Sequence, residues 1–301
     1  LGAFLGADRV GVDAIGAFAS WLGSDVSVGR TYLPGKSWDD LEGPDWALDP
    51  WSAWRAARPE RMLAVNVPMV APNEPPVSDD AAAVLLRQGA DGSYDGHFRT
   101  LAERLVQRRA GDAVIVLGWE MNGTTYSGRC APDPRAWKEY WRRIVTVMRS
   151  VPGQGFRFDF APTRGAQAIP WPQCYPGDDV VDIVGMDSYD QRPGRTFDEF
   201  IGQPYGLRAQ ADFAAAHGKP LSYPEWGAKR GASSNADRLS RATCRRSNRL
   251  TPATMTRNAI VLSAMPTPAP SPATAATQST ATNSAGYTSD RRMPGDTVAS
   301  S

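Results

Sequence analysis

Two glutamates each stand just past a short apolar run of β-type residues, among aromatic rings and glycine. The first lies in Val114-Ile115-Val116-Leu117-Gly118-Trp119-Glu120-Met121-Asn122-Gly123, the second in Lys219-Pro220-Leu221-Ser222-Tyr223-Pro224-Glu225-Trp226-Gly227. A ring beside a carboxyl group lowers the local polarity and raises its pKa, and a flat ring face stacks on the apolar face of a sugar. Acid plus aromatic is therefore a pattern for binding and cleaving sugars. Two carboxyl groups about 5–5.5 Å apart across a glycosidic bond allow a retaining displacement, and about 6.5–9.5 Å an inverting one. One isolated glutamate would be read as a surface acid or ion-pair partner. Two in matching settings after separate strands point to a working pair.

The elements that must hold this pair follow from the alternation of short apolar runs with helical stretches, the pattern of repeated βα units around a parallel sheet. Strands are expected at Ala3–Leu5, Ser27–Tyr32, Met62–Val67, Ala113–Gly118, Phe156–Ala161, Val180–Met186 and Leu221–Tyr223. Between them, Asp133 caps a helix with Pro134 in its first turn, and Trp137, Trp141, Ile144, Val145 and Met148 form one apolar stripe. Another helix carries Phe98, Leu101, Leu105 and Val106 and stops at Gly111, and a third runs through Ala214–Ala216 and His217 to Gly218. Seven such repeats exceed a doubly wound sheet and predict an α/β fold of the (β/α)8 TIM-barrel type. The eighth strand is doubtful, its one candidate being Ile260-Val261-Leu262. In a barrel the chemistry sits where the strands end, which puts Glu120 after the fourth strand and Glu225 after the seventh.

Composition agrees with a large single barrel. The 301 residues are 42% hydrophobic, enough for a sizeable core, and the net charge of +1 recommends neither nucleic acid nor a membrane surface as partner. The apolar runs are too short to span a membrane and no signal-peptide pattern opens the chain; the initial Leu1 reads as the start of a mature product or a fragment. Residues 1–226 hold all ten Trp and all nine Phe, with 23 basic against 29 acidic side chains; residues 227–301 carry ten basic against three acidic. The sequence thus divides into a barrel domain at 1–227 and a basic, Ser/Thr/Ala/Pro-rich tail at 228–301, expected to be disordered. That tail reads as a linker, an altered reading frame or a tether to an anionic surface.

Trp119-Glu120-Met121-Asn122-Gly123, Val181-Asp182-Ile183-Val184-Gly185-Met186-Asp187-Ser188-Tyr189 and Pro224-Glu225-Trp226-Gly227 together resemble glycoside hydrolase family 26, which contains many β-mannanases, over roughly residues 1–227. The resemblance implies a retaining hydrolase of β-linked polysaccharide, most simply an endo-β-1,4-mannanase, with Glu120 as general acid/base and Glu225 as nucleophile. It also implies that Tyr189 donates its hydroxyl to Glu225. The family usually places His before its acid/base; here the residue is Trp119, which donates one hydrogen bond and accepts none. Thr124-Thr125-Tyr126 replaces a fuller aromatic cluster, so the substrate could be β-1,3-xylan or mixed-linkage β-glucan instead. A transglycosidase or a non-catalytic carbohydrate-binding barrel would share the same cleft.

Trp119, Asn122, Tyr126, Trp171, Asp187, Tyr189, Trp226 and Arg30 are candidates for lining that cleft. Trp171 could stack on a sugar or pin its own loop, Arg30 could touch substrate or neutralise a buried acid, and Asn122 and Asp187 could bind hydroxyls or shape turns. His97 and His217 fall in helical stretches and read as structural. Cys130 and Cys174 both belong on the strand-end face and form a disulfide candidate, leaving Cys244 in the tail. The expectation is a secreted, extracellular monomer that acts on polysaccharide without cofactor or metal.

Overall fold

A computed structural model of the protein describes residues 1–189 and 196–227, together with the strand Ile260–Val261. The chain divides into Leu1–Pro266 and Thr267–Ser301, and the second unit lies wholly outside the described residues. So does the rest of the expected tail, Cys244 included.

Six strands, β1 (Gly2–Ala3), β2 (Val28–Tyr32), β3 (Met62–Val67), β4 (Val114–Leu117), β5 (Arg157–Phe160) and β6 (Ile183–Val184), form one parallel sheet in chain order. Past β6, the chain resumes extended structure at β7 (Ser188–Tyr189), and the last strands are β8 (Ser222–Tyr223), β9 (Trp226–Gly227) and β10 (Ile260–Val261). A parallel bridge from Val184 to Leu221 carries the sheet on to β8, and β8 pairs in parallel with β10, Ser222 opposite Ile260 and Tyr223 opposite Val261. The seven expected strands are therefore present and the doubtful eighth takes the barrel position beside the seventh. Among the described residues no ladder joins β10 to β1, so the sheet is a curled, unclosed barrel.

Helices α1 (Arg9–Leu22), α2 (Trp38–Leu41), α3 (Asp45–Ala56), α4 (Asp79–Ala90), α5 (Asp95–Gln107), α6 (Pro134–Arg149), α7 (Phe197–Gly202) and α8 (Leu207–Ala216) fill the connections. The side chain of Asp133 caps α6 by accepting from the Ala136 amide at 3.0 Å, and Trp137, Trp141, Ile144, Val145 and Met148 are all buried along the helix's inner stripe. Gly218 follows α8 at φ +63°, a left-handed position open to glycine without strain. Among the described residues no helix is long and apolar enough to cross a membrane.

Strand alternation separates two cores. The larger lies between sheet and helices; the smaller comprises Val28, Ala64, Val114, Val116, Trp119, Ala161 and Ile183, on the concave face. The same inward register carries buried Arg30, Asn66, Asp159 and Ser222, so the concave face is polar in its middle. Ser222 Oγ donates to Asp159 Oδ2 at 2.5 Å. Gly185 makes room for them, because a Cβ there would sit 2.6 Å from Asp159 Oδ1 and 2.8 Å from Ser222 Oγ.

Candidate active site

Glu120 is brought into place by a strand that turns without losing its pairing. Past β4, Gly118 takes φ +58° and Glu120 φ +52°, yet the Gly118 amide donates to Val67 O on one side and the Glu120 amide to Ala161 O on the other. A non-glycine residue at positive φ costs on the order of 1–3 kcal/mol, a strain that the two flanking strands sustain. Glu225 is set by a parallel pairing above the main sheet: β7 lies beside β9, Ser188 opposite Trp226, and the Ser188 amide donates to Glu225 O at 2.8 Å.

These two turns point their carboxyl groups at one another. One carboxylate oxygen from each of Glu120, Asp187 and Glu225 lies within 4.8 Å of the other two. For Glu225, Oε1 accepts from the Tyr32 hydroxyl at 2.6 Å and lies 3.4 Å from Arg30 Nη2, while Oε2 accepts from the Tyr189 hydroxyl at 2.5 Å. Glu120 is different: burial and the neighbouring Glu225 carboxylate push its pKa up to about 7, opposed by a hydrogen bond from the Thr163 side chain and by Arg30. Asp187, only 1% exposed, is pushed well above the usual carboxylate range by burial and by Glu225 and Glu120. Three converging carboxyl groups could also hold a cation, but Arg30 already supplies positive charge beside Glu225.

Residues 113–219 match the model of glycosyl hydrolase family 26. The match covers the stretch from β4 through α8 and ends before Glu225. Among solved structures, the fold is similar to a modular endo-β-1,4-mannanase of Cellulomonas fimi, with a TM-score of 0.61 and 18% identity over 82% of this chain and 59% of that one. A Bacillus subtilis mannanase gives 0.61 at 14% identity over 88% and 79% of the two chains. A family 26 β-mannanase of Bacteroides ovatus gives 0.53 at 15% identity over 79% and 71%. At these identities the structures establish the fold. The chain spans less than two thirds of the length of the Cellulomonas fimi enzyme. No curated protein sequence matches it.

Trp119 stands where the family that the sequence resembles usually has histidine. Its indole is nearly buried and spends its single N–H on the Tyr126 hydroxyl at 3.0 Å, while its ring packs edge-on against Tyr32 at 5.6 Å. Tyr126, having accepted that bond, has its own proton to offer elsewhere. Arg30 is fully buried and faces Glu225, the acid-neutralising arrangement of the two open to it. Trp171 is fully buried too, its indole donating to Tyr205 O at 3.2 Å, which fastens its loop and offers no ring face to a sugar. Trp226 is half-buried against Tyr223, and Asn122 is buried with its amide engaged by the Thr163 backbone. Cys130 and Cys174 are joined as a disulfide with their Cα atoms 6.2 Å apart. His97 and His217 each pair with a carboxylate, Glu42 and Asp178, outside this cluster.

Sequence reasoning missed Tyr32, Thr163 and Arg164. Tyr32 ends the same strand as Arg30 and sits two residues on, so the period of two that turns Arg30 inward also turns Tyr32 inward. Arg164, packed over the Phe200 ring, donates to Ser188 Oγ at 3.0 Å and Tyr189 O at 2.8 Å and so holds β7. Nothing in the local sequence of Thr163 or Arg164 marks them, because their roles arise from pairing with residues far along the chain.

Proposed function

We propose that the chain is a retaining glycoside hydrolase of β-linked polysaccharide, with β-1,4-mannan as preferred substrate, Glu120 as general acid/base and Glu225 as nucleophile. The observation that carries this reading is that one carboxylate oxygen of Glu120 and one of Glu225 lie within 4.8 Å of each other. Such an approach fits the roughly 5–5.5 Å between the carboxyl groups of retaining pairs better than the about 6.5–9.5 Å of inverting ones.

In the first step Glu225 attacks the anomeric carbon as the C–O bond to the leaving sugar breaks, and Glu120, still protonated near neutral pH, passes its proton to the departing oxygen. Tyr32 and Tyr189 fix both oxygens of Glu225 for that attack, and Arg30 balances its charge. Once Glu225 is esterified its negative charge is gone, which removes the repulsion that adds to burial in raising the pKa of Glu120. Glu120, now a carboxylate, takes a proton from water as the water displaces Glu225. The buried disulfide suits a secreted protein.

Hydrolysis of β-mannan, mixed-linkage β-glucan and β-1,3-xylan, with the new reducing end followed by NMR, tests the proposal. The expected result is cleavage of β-mannan with the β-anomer appearing first. An α-anomer first, or no cleavage of any of the three, would overturn it.

A further inference from the structure

The buried side chain of Asn122 does the work of a missing backbone pairing. Its Nδ2 donates to Thr163 O at 2.9 Å, and its Oδ1 accepts from the Thr163 amide at 2.9 Å. One carboxamide thus presents to Thr163 the donor and acceptor that a neighbouring strand would present. On its other side Thr163 bridges Asp187 in parallel, the Arg164 amide donates to Asp187 O, and the Ser188 amide donates to Glu225 O. A continuous row of bonds therefore runs from the turn holding Glu120, through Asn122, Thr163 and Asp187, to the turn holding Glu225.

The turn around Glu120 has few other ties above Ala161. The Cys130 amide donates to Met121 O at 2.8 Å, the Ile169 amide makes a long bond of 3.4 Å to the Asn122 backbone O, and the Cys130–Cys174 disulfide fastens the same two loops farther out. Glu120 itself sits at positive φ, a conformation that relaxes if its surroundings release it. We infer that Asn122 is a positioning residue for the acid/base, its carboxamide holding the Glu120 turn at the distance from Glu225 that retention requires. It spends all its hydrogen-bonding groups facing Thr163 on this task and touches no reacting atom.

This inference rests on the assignment of Glu120 as acid/base, and the test separates the two. Cleavage of 2,4-dinitrophenyl β-mannobioside needs no proton on its leaving group, whereas cleavage of phenyl β-mannobioside does. Glu120→Ala is the reference and should lose the phenyl substrate far more than the dinitrophenyl one in the glycosylation step, read as kcat/KM. Asn122→Ala should show the same split in weaker form, with kcat/KM on the phenyl substrate falling on the order of 100-fold, the cost of about 1 Å of misplacement, and falling less than about 5-fold on the dinitrophenyl substrate. If Glu120→Ala shows no split, the acid/base assignment fails. If it does and Asn122→Ala loses both substrates equally or neither, the positioning role is wrong. Hydrogen exchange gives a readout free of substrate: the Glu120 and Thr163 amides should exchange on the order of 10-fold faster in Asn122→Ala while those of Val114–Leu117 stay unchanged. Unaltered exchange at both would likewise overturn the inference.

Discussion

Glu120 and Glu225 are the same residue type at the ends of two strands of one sheet, and their surroundings set them apart. Around Glu225 the strands β2 and β7 supply two tyrosine hydroxyls and a guanidinium, all directed at its oxygens. Glu120 is largely withdrawn from water beside a second carboxylate and one threonine hydroxyl, and its pKa rises to about 7. The difference teaches that a sheet can make two chemically opposite groups from one side chain, by choosing what the neighbouring strands point inward at the same level.

The comparison breaks most visibly when either carboxyl is lost. Glu120→Gln and Glu225→Gln should each lower turnover on polysaccharide by about 10³-fold or more. Azide then tells the two apart in the alanine variants: it should give a β-glycosyl azide with Glu120→Ala, by attack on the glycosyl-enzyme, and an α-glycosyl azide with Glu225→Ala, by direct displacement. The same azide anomer from both would show that the roles do not differ.

A smaller effect sharpens the Glu225 side. Tyr189→Phe and Tyr32→Phe each remove one hydroxyl bond to a carboxylate and should lower kcat on the order of 10- to 100-fold. Steady-state rates within 2-fold of the parent for both would show that these bonds do not support the attack.

The Glu120 side is read by pH. In the proposed mechanism the protonated acid is the active form, so kcat/KM should hold on the acid side and fall about 10-fold for each pH unit above about 7, and Glu120→Gln should abolish that limb in its residual activity. A limb that persists unchanged in the variant belongs to another group.

An effect on stability rather than on turnover lies beneath the pair, at Asp159. Burial raises this carboxyl from 3.8 to about 7, so the unfolded chain gives up its proton first as pH rises. Its contribution to stability is present below about pH 4 and lost progressively up to about pH 7, at no more than about 1.4 kcal/mol per pH unit. Asp159→Asn should flatten that part of the urea-unfolding profile, and an unchanged slope would mean that Asp159 does not titrate there.

Much of the scaffold was legible from the sequence because its signals are local. The run 62–67 is apolar with strand-type residues, and Asp133-Pro134 ahead of a stripe ending at Met148 specifies where α6 begins and which face it buries. The two glutamates stood out for the same reason, each marked by its own neighbours. What stayed hidden depends on partners distant in the chain. The β7 and β9 segments are two residues each and owe their existence to pairing with one another, and Tyr32 reaches Glu225 across 193 positions. Trp171 was ambiguous because an aromatic residue in a loop looks alike whether its ring faces a ligand or a core. Burial decides that, and burial is a property of the assembled fold.

The Cys130–Cys174 link closes a 44-residue span that begins just past the Glu120 turn and contains the whole of α6 and β5. In the chain-entropy account such a closure is worth about 4 kcal/mol against the unfolded ensemble. A host cytoplasm that keeps thiols reduced would deliver the same scaffold with the loops after β4 and β5 untied, so the compartment chosen for expression becomes a variable of any activity measurement.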